Sequence, residues 1–258
     1  MPLIDLHTHI CFCPAQEMLQ ACKQRGIQTL GISEHVYQMR EIRNAYPDFL
    51  LEGQVYSIAD YATEFEKNAG HGVTLLMGLE LDILPGRTEA MWETLSHLPL
   101  DYVIGSVHEL DGWDIHWEHN FSPRQSKEKW HEYLTRQMEW IREGNGNILG
   151  HPVRMAVSVT QIPPDIETLM DRLAQCARQQ GVAIEINARD YAIAPELVTC
   201  LLRQCARHQC YVSVGSDAHA PQDIGRAFDR LQSLLQEIGV RHTTIWRNRR
   251  PIVCPIEQ

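Results

Sequence analysis

Short apolar runs alternate along the chain with longer stretches in which apolar residues recur at helical spacing. The apolar runs predict seven β-strands, at residues 3–7, 29–33, 73–82, 101–108, 147–151, 182–187 and 211–217. Between them lie helical patterns such as 16–26 and 166–181, each ending in a glycine that suits a helix C-terminus. Strands that are apolar along their length, each followed by a helix, indicate parallel pairing with both faces of the sheet covered.

This order of elements predicts an α/β fold, a (β/α)7 barrel with one strand fewer than the usual eight. The tail at 242–258, HTTIWRNRRPIVCPIEQ, has the pattern of a closing hairpin rather than of another strand–helix unit. The chain contains no internal repeat and no linker rich in Pro, Gly or Ser that would divide it. Residues 1–258 are therefore expected to form one barrel domain.

Composition and charge narrow the class of protein. A formal net charge of -10 at pH 7 argues against a surface that coats nucleic acid, although a metal site can still attract a small phosphorylated substrate. No apolar run has the length of a membrane span and no charged-then-apolar leader is present, so we expect a cytoplasmic protein with no membrane partner. The eight cysteines include no CxxC pair and are expected to be free, buried thiols.

The ends of the predicted strands carry the residues that could do chemistry. They are His7, His9, Glu34, His35, Glu80, His108, His151, Asp217 and His219. In barrels of this kind the C-terminal ends of the strands meet at one rim, so these side chains are expected to converge. A single histidine after a strand is more often a structural residue than a metal ligand, so the prediction depends on the whole set. The histidines without this placement are expected at the surface: His71, His97, His116, His119, His131, His208 and His242.

Histidine nitrogens combined with a few carboxylates are ligands for Zn, Mn or Fe rather than for Ca or Mg alone. The strand ends offer more ligands than one tetrahedral ion requires, which predicts two or three divalent ions that share a bridging carboxylate. Glu80, central in the strand order, is the candidate bridge. A cluster of this kind generates hydroxide at neutral pH and holds a tetrahedral phosphoryl group between its ions.

Six short motifs occur in order along the chain: DLHTH, SEH, GLELD, GSVHELDGW, GHP and GSDAH. With them the chain resembles the PHP (polymerase and histidinol phosphatase) family, and GSVHELDGWD and GSDAHAPQDIGRAFDRL are most similar to its histidinol-phosphatase branch. The resemblance covers nearly the whole chain. It implies a distorted (β/α)7 TIM-like barrel, a trinuclear metal site at the C-terminal ends of the strands, and a phosphoesterase reaction with Glu80, Asp217 and His219 among the catalytic groups.

The same resemblance implies which residues hold which ion. The sets are His7, His9, Glu80 and Asp217 for a first ion, Glu80, His108 and His151 for a second, and His35 and His219 for a third. The third set lacks one member, because family members often have a histidine shortly after the HxH pair and this sequence has Ala15 there. Two expectations remain open: the third ion is weakly bound or absent, or Cys11, Cys13 or Glu17 replaces the imidazole.

Two arginines just past strand ends are candidates for binding the substrate phosphate. Arg154 and Arg189 could hold phosphate oxygens in bidentate geometry, and each could equally pair with a surface carboxylate. The sixth strand leads into EINARDYAIAP, whereas histidinol phosphatases of this type often have EINTSG there. This departure leaves the identity of the substrate open.

The leading hypothesis is a metal-dependent phosphoesterase that acts on a small phosphorylated metabolite through metal-activated hydroxide, with L-histidinol phosphate as the first substrate to consider. A cyclic phosphodiesterase, or another small phosphomonoesterase of the PHP family, is the alternative. A metal-binding protein that has lost catalysis is disfavoured, because Glu80 and the ligand sets on both sides of it are retained. The oligomeric state is left undetermined by the sequence.

Overall fold

A sheet of seven parallel strands forms the centre of the molecule, as the alternation of apolar runs predicted. The computed structural model describes residues 3–43, 53–70, 72–86 and 88–256. The strands, neighbours in chain order, are β1 (Leu3–Asp5), β2 (Ile27–His35), β3 (Thr74–Asp82), β4 (Tyr102–Ser106), β7 (Ile148–Leu149), β8 (Ala183–Asn187) and β9 (Val212–Gly215). A small antiparallel pair, β5 (Glu109–Leu110) and β6 (Trp113–Asp114), follows β4.

The two edges of this sheet meet through the residues that follow β1. The backbone N–H of Leu6 donates to the carbonyl of Val214 over 3.1 Å, and Thr8 forms a parallel bridge with Ala218. The sheet is thereby a nearly closed barrel, and the predicted (β/α)7 fold is confirmed. Several predicted strands end earlier than expected, so His108 and Asp217 lie in the loops directly after β4 and β9 rather than within them.

Helices cover the outer face of the barrel. They are α1 (Ala15–Gln24), α2 (Ile58–Asn68), α3 (Thr88–Leu95), α4 (Pro123–Glu143), α5 (Ile166–Gln180), α6 (Ala188–Ile193), α7 (Pro195–His208) and α8 (Phe228–Ile238). In α5 the buried residues recur at helical spacing, among them Leu169, Leu173 and Ala177, which explains why this segment packs against the sheet as a helix. The helix ends where Gly181 adopts a left-handed conformation with φ 69°.

The predicted closing hairpin is also present. Strand β10 (His242–Arg247) pairs antiparallel with β11 (Arg250–Pro255), and Asn248 and Arg249 at the turn both have positive φ. Trp246 of β10 is buried and belongs to a small apolar cluster with inward-facing strand residues such as Ile4 and Tyr102. This cluster fills the inside of the barrel, so polar groups are left to the opposite end, where the strands terminate.

Two further expectations concern the whole chain. All eight cysteines are free, four of them buried and four partly exposed, so the prediction of free thiols is confirmed and that of general burial only in part. Among the described residues, no helix combines the length and the apolar character needed to cross a membrane.

Candidate metal centre

The side chains predicted at the strand ends converge on one carboxylate, that of Glu80. Its Oε1 atom lies 3.2 Å from Nε2 of His7, 3.4 Å from Nε2 of His108 and 3.0 Å from Nε2 of His151. Glu80 is fully buried. Burial alone would raise the pKa of this carboxyl, but the neighbouring histidines, His7 first, lower its pKa well below the ordinary value.

The second oxygen of Glu80 faces two more histidines. Oε2 lies 3.0 Å from Nε2 of His35 and 3.7 Å from Nε2 of His9. The rings of His9 and His35 stack with centroids 4.0 Å apart. Glu80 therefore faces five imidazoles through its two oxygens, an arrangement that would allow the carboxylate to be shared between two ions.

Asp217 and His219 complete the far side of the centre. Oδ1 of Asp217 lies 3.5 Å from Nε2 of His9, 3.9 Å from Nε2 of His7 and 3.7 Å from Nδ1 of His219. Burial, together with the charge of His9, lowers the pKa of His219 to about 3, so its ring is neutral and available as a ligand at physiological pH.

The donor atoms of this centre fit a bound cation. In the part of the chain that the structure describes, Nε2 of His7 and Nε2 of His9 make no hydrogen bond, although both rings are fully buried. Buried polar nitrogens normally have a partner, and these two are surrounded by carboxylates. A divalent ion between them would satisfy the nitrogens and the carboxylate charges together.

Five sets of three groups each have ligand atoms within 4.8 Å of one another. They are His7–Glu80–His151, His35–Glu80–His108, His7–His9–Asp217, His9–His35–His219 and Cys11–Glu34–His35. All eight residues predicted as ligands occur in these sets, and Glu80 occurs in two of them. The structure thus brings the predicted ligands together, while their division among particular ions stays a prediction.

Two of the predicted ligands have backbone conformations that L-residues rarely adopt. His151 has φ 25° and Asp217 has φ 57°. Hydrogen bonds hold both: the N–H of His151 donates to Oε2 of Glu185 over 2.6 Å, and the N–H of Asp217 donates to the carbonyl of His7 over 2.8 Å. Strained residues of this kind concentrate at functional sites, where the surrounding structure fixes them.

Buried carboxylates behind the histidines are part of the site but were not predicted as such. Oε1 of Glu185 lies 2.9 Å from Nδ1 of His7, and Oδ1 of Asp82 lies 2.5 Å from Nδ1 of His108. Each leaves the Nε2 atom of its histidine directed at Glu80, as carboxylates behind metal-bound histidines commonly do. The signal available in the sequence was an acidic residue inside an otherwise apolar strand, Glu185 in AIEIN and Asp82, next but one to Glu80, in LLMGLELD.

Glu34 has the same role for the other two histidines. Its Oε1 atom lies 3.3 Å from Nδ1 of His35 and 3.5 Å from Nδ1 of His9. Oε2 accepts a hydrogen bond from the backbone N–H of Ile10 over 2.9 Å. Burial alone would raise the pKa of Glu34, but the adjacent imidazole of His35, followed by that of His9, lowers its pKa well below the ordinary value.

The two candidate phosphate-binding arginines differ in their surroundings. Arg154 is buried, and its guanidinium donates from Nε to Oδ1 of Asp190 and from Nη2 to Oδ2 of Asp217. Arg154 therefore pairs with carboxylates, as the alternative held, but these carboxylates are buried rather than at the surface, and its contact with phosphate stays a prediction. Arg189 has a half-exposed side chain whose Nη1 lies 4.0 Å from Oδ2 of Asp217. The side-chain oxygen of Asn187 accepts from the backbone N–H groups of Arg189 and Asp190, which fixes both residues at the start of α6.

A cavity of about 610 Å³ opens above the centre. Its lining includes His35, His108, Arg154, Arg189, Asp217 and His219. Two exposed aromatic residues, Phe12 and Trp117, also line it. His116, expected at the surface, lies in its wall instead, with its ring stacked 5.5 Å from that of His108. His71 lies outside the described residues.

The chain is similar to known proteins along nearly its whole length. A model of the PHP domain matches residues 5–189. The chain is 26% identical over 263 aligned residues to a protein of Deinococcus radiodurans named probable histidinol-phosphatase, covering 96% of this chain and 98% of the relative. It is 24% identical over 248 residues to a protein of Acetivibrio thermocellus named probable phosphatase, covering 92% and 88%.

Among solved structures, the fold is similar to that of a histidinol phosphate phosphatase from Lactococcus lactis subsp. lactis Il1403. The TM-score is 0.80, and the match covers 97% of this chain and 99% of that protein at 17% sequence identity. That crystal structure contains zinc, L-histidinol and phosphate. At this identity the likeness concerns the fold.

Proposed function

The chain belongs to the PHP domain family, and from this premise we propose that it is a metal-dependent phosphatase of small phosphorylated metabolites. The observation that carries the proposal is the position of Glu80, which faces five histidines beneath an open cavity of about 610 Å³. A carboxylate shared in this way is suited to hold two ions side by side, and paired ions are typical of phosphoryl-transfer sites.

The ions would be held by the residues that converge on the rim. These residues are His7, His9, His35, Glu80, His108, His151, Asp217 and His219. Two or three divalent ions bound there, of Zn, Mn or Fe, would supply a nucleophilic hydroxide and would offset the negative charge that develops on the phosphoryl oxygens. The carboxylates of Glu185, Asp82 and Glu34 keep the histidine rings in orientation.

Arg189 is the residue that we assign to direct contact with the phosphate. Its half-exposed guanidinium lines the cavity and is close to Asp217, so it can move onto an anion without breaking a short ion pair. Arg154 also lines the cavity, but two of its nitrogens already donate to Asp190 and Asp217. Its contribution is the positive charge it adds and the orientation it gives to Asp217.

Asp217 and His219 are positioned to guide the proton that the leaving oxygen requires. Both line the cavity, and Nδ1 of His219 donates to the backbone carbonyl of Asp217 over 3.1 Å, which fixes its ring. Bulk water must be limited at the reacting centre. This condition is met at His7, His9 and Glu80, because their metal-facing atoms are fully buried. The cavity gives a substrate access to Asp217 and His219 from its open side.

L-Histidinol phosphate is the substrate that we propose first. The names of the relatives and the ligands in the solved neighbour support this choice. A different small phosphomonoester or a cyclic phosphodiester is the second candidate, and a specific feature favours it. The residues after β8 form the short helix α6, which places Arg189 at the cavity, where the sequence departs from the EINTSG pattern.

The test is release of phosphate from L-histidinol phosphate, alongside other phosphomonoesters and a cyclic phosphodiester. The metal-free protein is reconstituted with Mn²⁺ or with Zn²⁺, and a chelator is then added. We expect fast release that the chelator abolishes, with histidinol phosphate preferred. Chelator-sensitive release from another ester would keep the chemistry and change the substrate, whereas no release from any ester would overturn the proposal.

A further inference from the structure

A sulfur atom, that of Cys11, lies at the edge of the histidine cluster. Sγ of Cys11, a carboxylate oxygen of Glu34 and a ring nitrogen of His35 all lie within 4.8 Å of one another. All three residues are buried, with exposed fractions of 4%, 0% and 6%. A thiolate, a carboxylate and an imidazole are each established ligands of Zn²⁺ and related ions.

The other two residues that could replace the imidazole are placed differently. Cys13 is only partly buried, and Glu17 is exposed in the first turn of α1. Neither occurs in any group of potential metal ligands among the described residues. Ala15 itself is completely buried as the first residue of α1 and contributes no donor atom. Cys11 is therefore the candidate that the fold selects.

The backbone around Cys11 is held in place on two sides. Its carbonyl accepts a hydrogen bond from the N–H of Gln54 over 2.6 Å. The preceding residue, Ile10, donates its N–H to Oε2 of Glu34 and accepts at its carbonyl from the hydroxyl of Tyr56 over 3.1 Å. The thiol is thus presented to Glu34 and His35 by a fixed segment, as a ligand must be.

A second observation indicates a cation at this place. His9 is fully buried and stacks on His35, yet its Nδ1 atom makes no hydrogen bond within the described structure. That nitrogen lies 3.5 Å from Oε1 of Glu34. An unsatisfied buried imidazole beside a buried carboxylate and a thiol has the surroundings of a ligand shell rather than of an apolar core.

We propose that Cys11 is a sulfur ligand of a divalent transition-metal ion that His35 and Glu34 also bind. Binding replaces the S–H bond with a sulfur–metal bond and releases the thiol proton to solvent. The inference rests on the proposed metal centre, but it does not depend on which ester is hydrolysed. It places a sulfur-ligated ion beside His35, on the side of the ring that faces Glu34.

Cobalt substitution tests the proposal without reference to activity. The metal-free protein is titrated with Co²⁺ under reducing, oxygen-free conditions, and the near-ultraviolet absorption is followed. We expect a thiolate-to-cobalt charge-transfer band in the wild type, its loss in Cys11→Ser and Cys11→Ala, and its retention in Cys13→Ala. We also expect the Cys11 variants to bind one ion fewer per chain, with circular dichroism confirming that they are folded.

Absence of the band from the wild type, or its persistence in Cys11→Ala, would overturn the proposal. A second measurement needs no variant: alkylation of Cys11 in the intact protein, followed by mass spectrometry, should be slower with Zn²⁺ bound than after its removal. Phosphate release is measured on the same samples. Hydrolysis without the thiolate-to-cobalt band refutes only the assignment of Cys11 as a ligand. The band without hydrolysis refutes only the proposed phosphatase activity.

Discussion

Nη2 of Arg154 donates a hydrogen bond to Oδ2 of Asp217 over 2.7 Å, and both side chains are buried. Nε of the same guanidinium donates to Oδ1 of Asp190 over 2.6 Å. One arginine therefore balances two buried carboxylates, and one of these faces the metal centre. Low polarity makes such a charge cluster sensitive to the loss of any member.

Replacing Arg154 with Met should leave Asp190 and Asp217 buried without their counter-charge. We expect the free energy of unfolding of the metal-free protein to fall by about 3–5 kcal/mol, because a buried charge then lacks its partner. Arg189→Met is the matched control: its side chain is half exposed, and the expected change is below about 1 kcal/mol. Denaturant unfolding measures both, and equal losses would contradict the ion pairs described.

Replacing Glu80 with Gln should abolish phosphate release while leaving the fold intact. The amide has nearly the shape of the carboxylate but lacks the charge that five histidines and their ions share. Phosphate release, far-ultraviolet circular dichroism and metal content per chain are the measurements. We expect a normal spectrum with less bound metal; unchanged activity would remove the basis of the mechanism.

Replacing Glu185 with Gln should weaken metal binding although Glu185 is not proposed as a ligand. Its Oε1 atom orients the ring of His7, and its Oε2 atom accepts from the backbone of His151. Loss of a carboxylate behind a ligand typically lowers metal affinity about 10–100-fold. Competition with a chromophoric chelator measures the affinity, with the exposed Glu93→Gln as control. Identical affinities for the two variants would show that Glu185 has no such role.

Metal affinity should rise with pH because protons compete for the histidines. Burial by itself lowers the pKa of His108, but Asp82 and Glu80 outweigh it and raise the pKa to about 9. Below that pH the metal-free ring holds a proton that an ion must displace, so the contribution of this ring to metal affinity rises until the pH exceeds about 9. Asp82→Asn removes the larger of the two charges that raise the pKa of His108 and should move this dependence to lower pH.

Calorimetric titration with Zn²⁺ in two buffers of different ionisation enthalpy counts the protons released on binding. Below the raised pKa of His108, Asp82→Asn should release fewer protons than the wild type. Equal proton release from the two proteins would show that Asp82 does not control the protonation of the His108 ring.

Replacing Gly78 with Ala should destabilise the barrel beneath the site. A Cβ at Gly78 would overlap the ring of Tyr102, which is fully buried and donates its hydroxyl to the carbonyl of Leu6 over 2.7 Å. Overpacking of this kind costs about 1–3 kcal/mol. Thr74→Ala, at the exposed start of β3, is the control and should change stability by less than about 0.5 kcal/mol. Similar unfolding midpoints for the two variants would contradict the close packing of Tyr102.

The sequence alone was sufficient for the order of strands, for the closing hairpin and for the convergence of the predicted ligands at one rim. Strands and helices have different periods, so their alternation can be read without a structure. The strand ends could be located to within a few residues, and a parallel barrel carries all of them to one rim. His7 and Asp217, more than two hundred residues apart, could therefore be assigned to one site.

Only the tertiary structure decided what surrounds those ligands. Arg154 and Arg189 have the same charge and similar positions after strands, but one is buried between two carboxylates and the other is half exposed. Cys11 and Cys13 are two residues apart, yet only Cys11 faces Glu34 and His35. These differences depend on contacts between segments distant in the chain and on exclusion of water. Neither is encoded in the local pattern, which specifies the element on which a residue lies but not the groups packed against it.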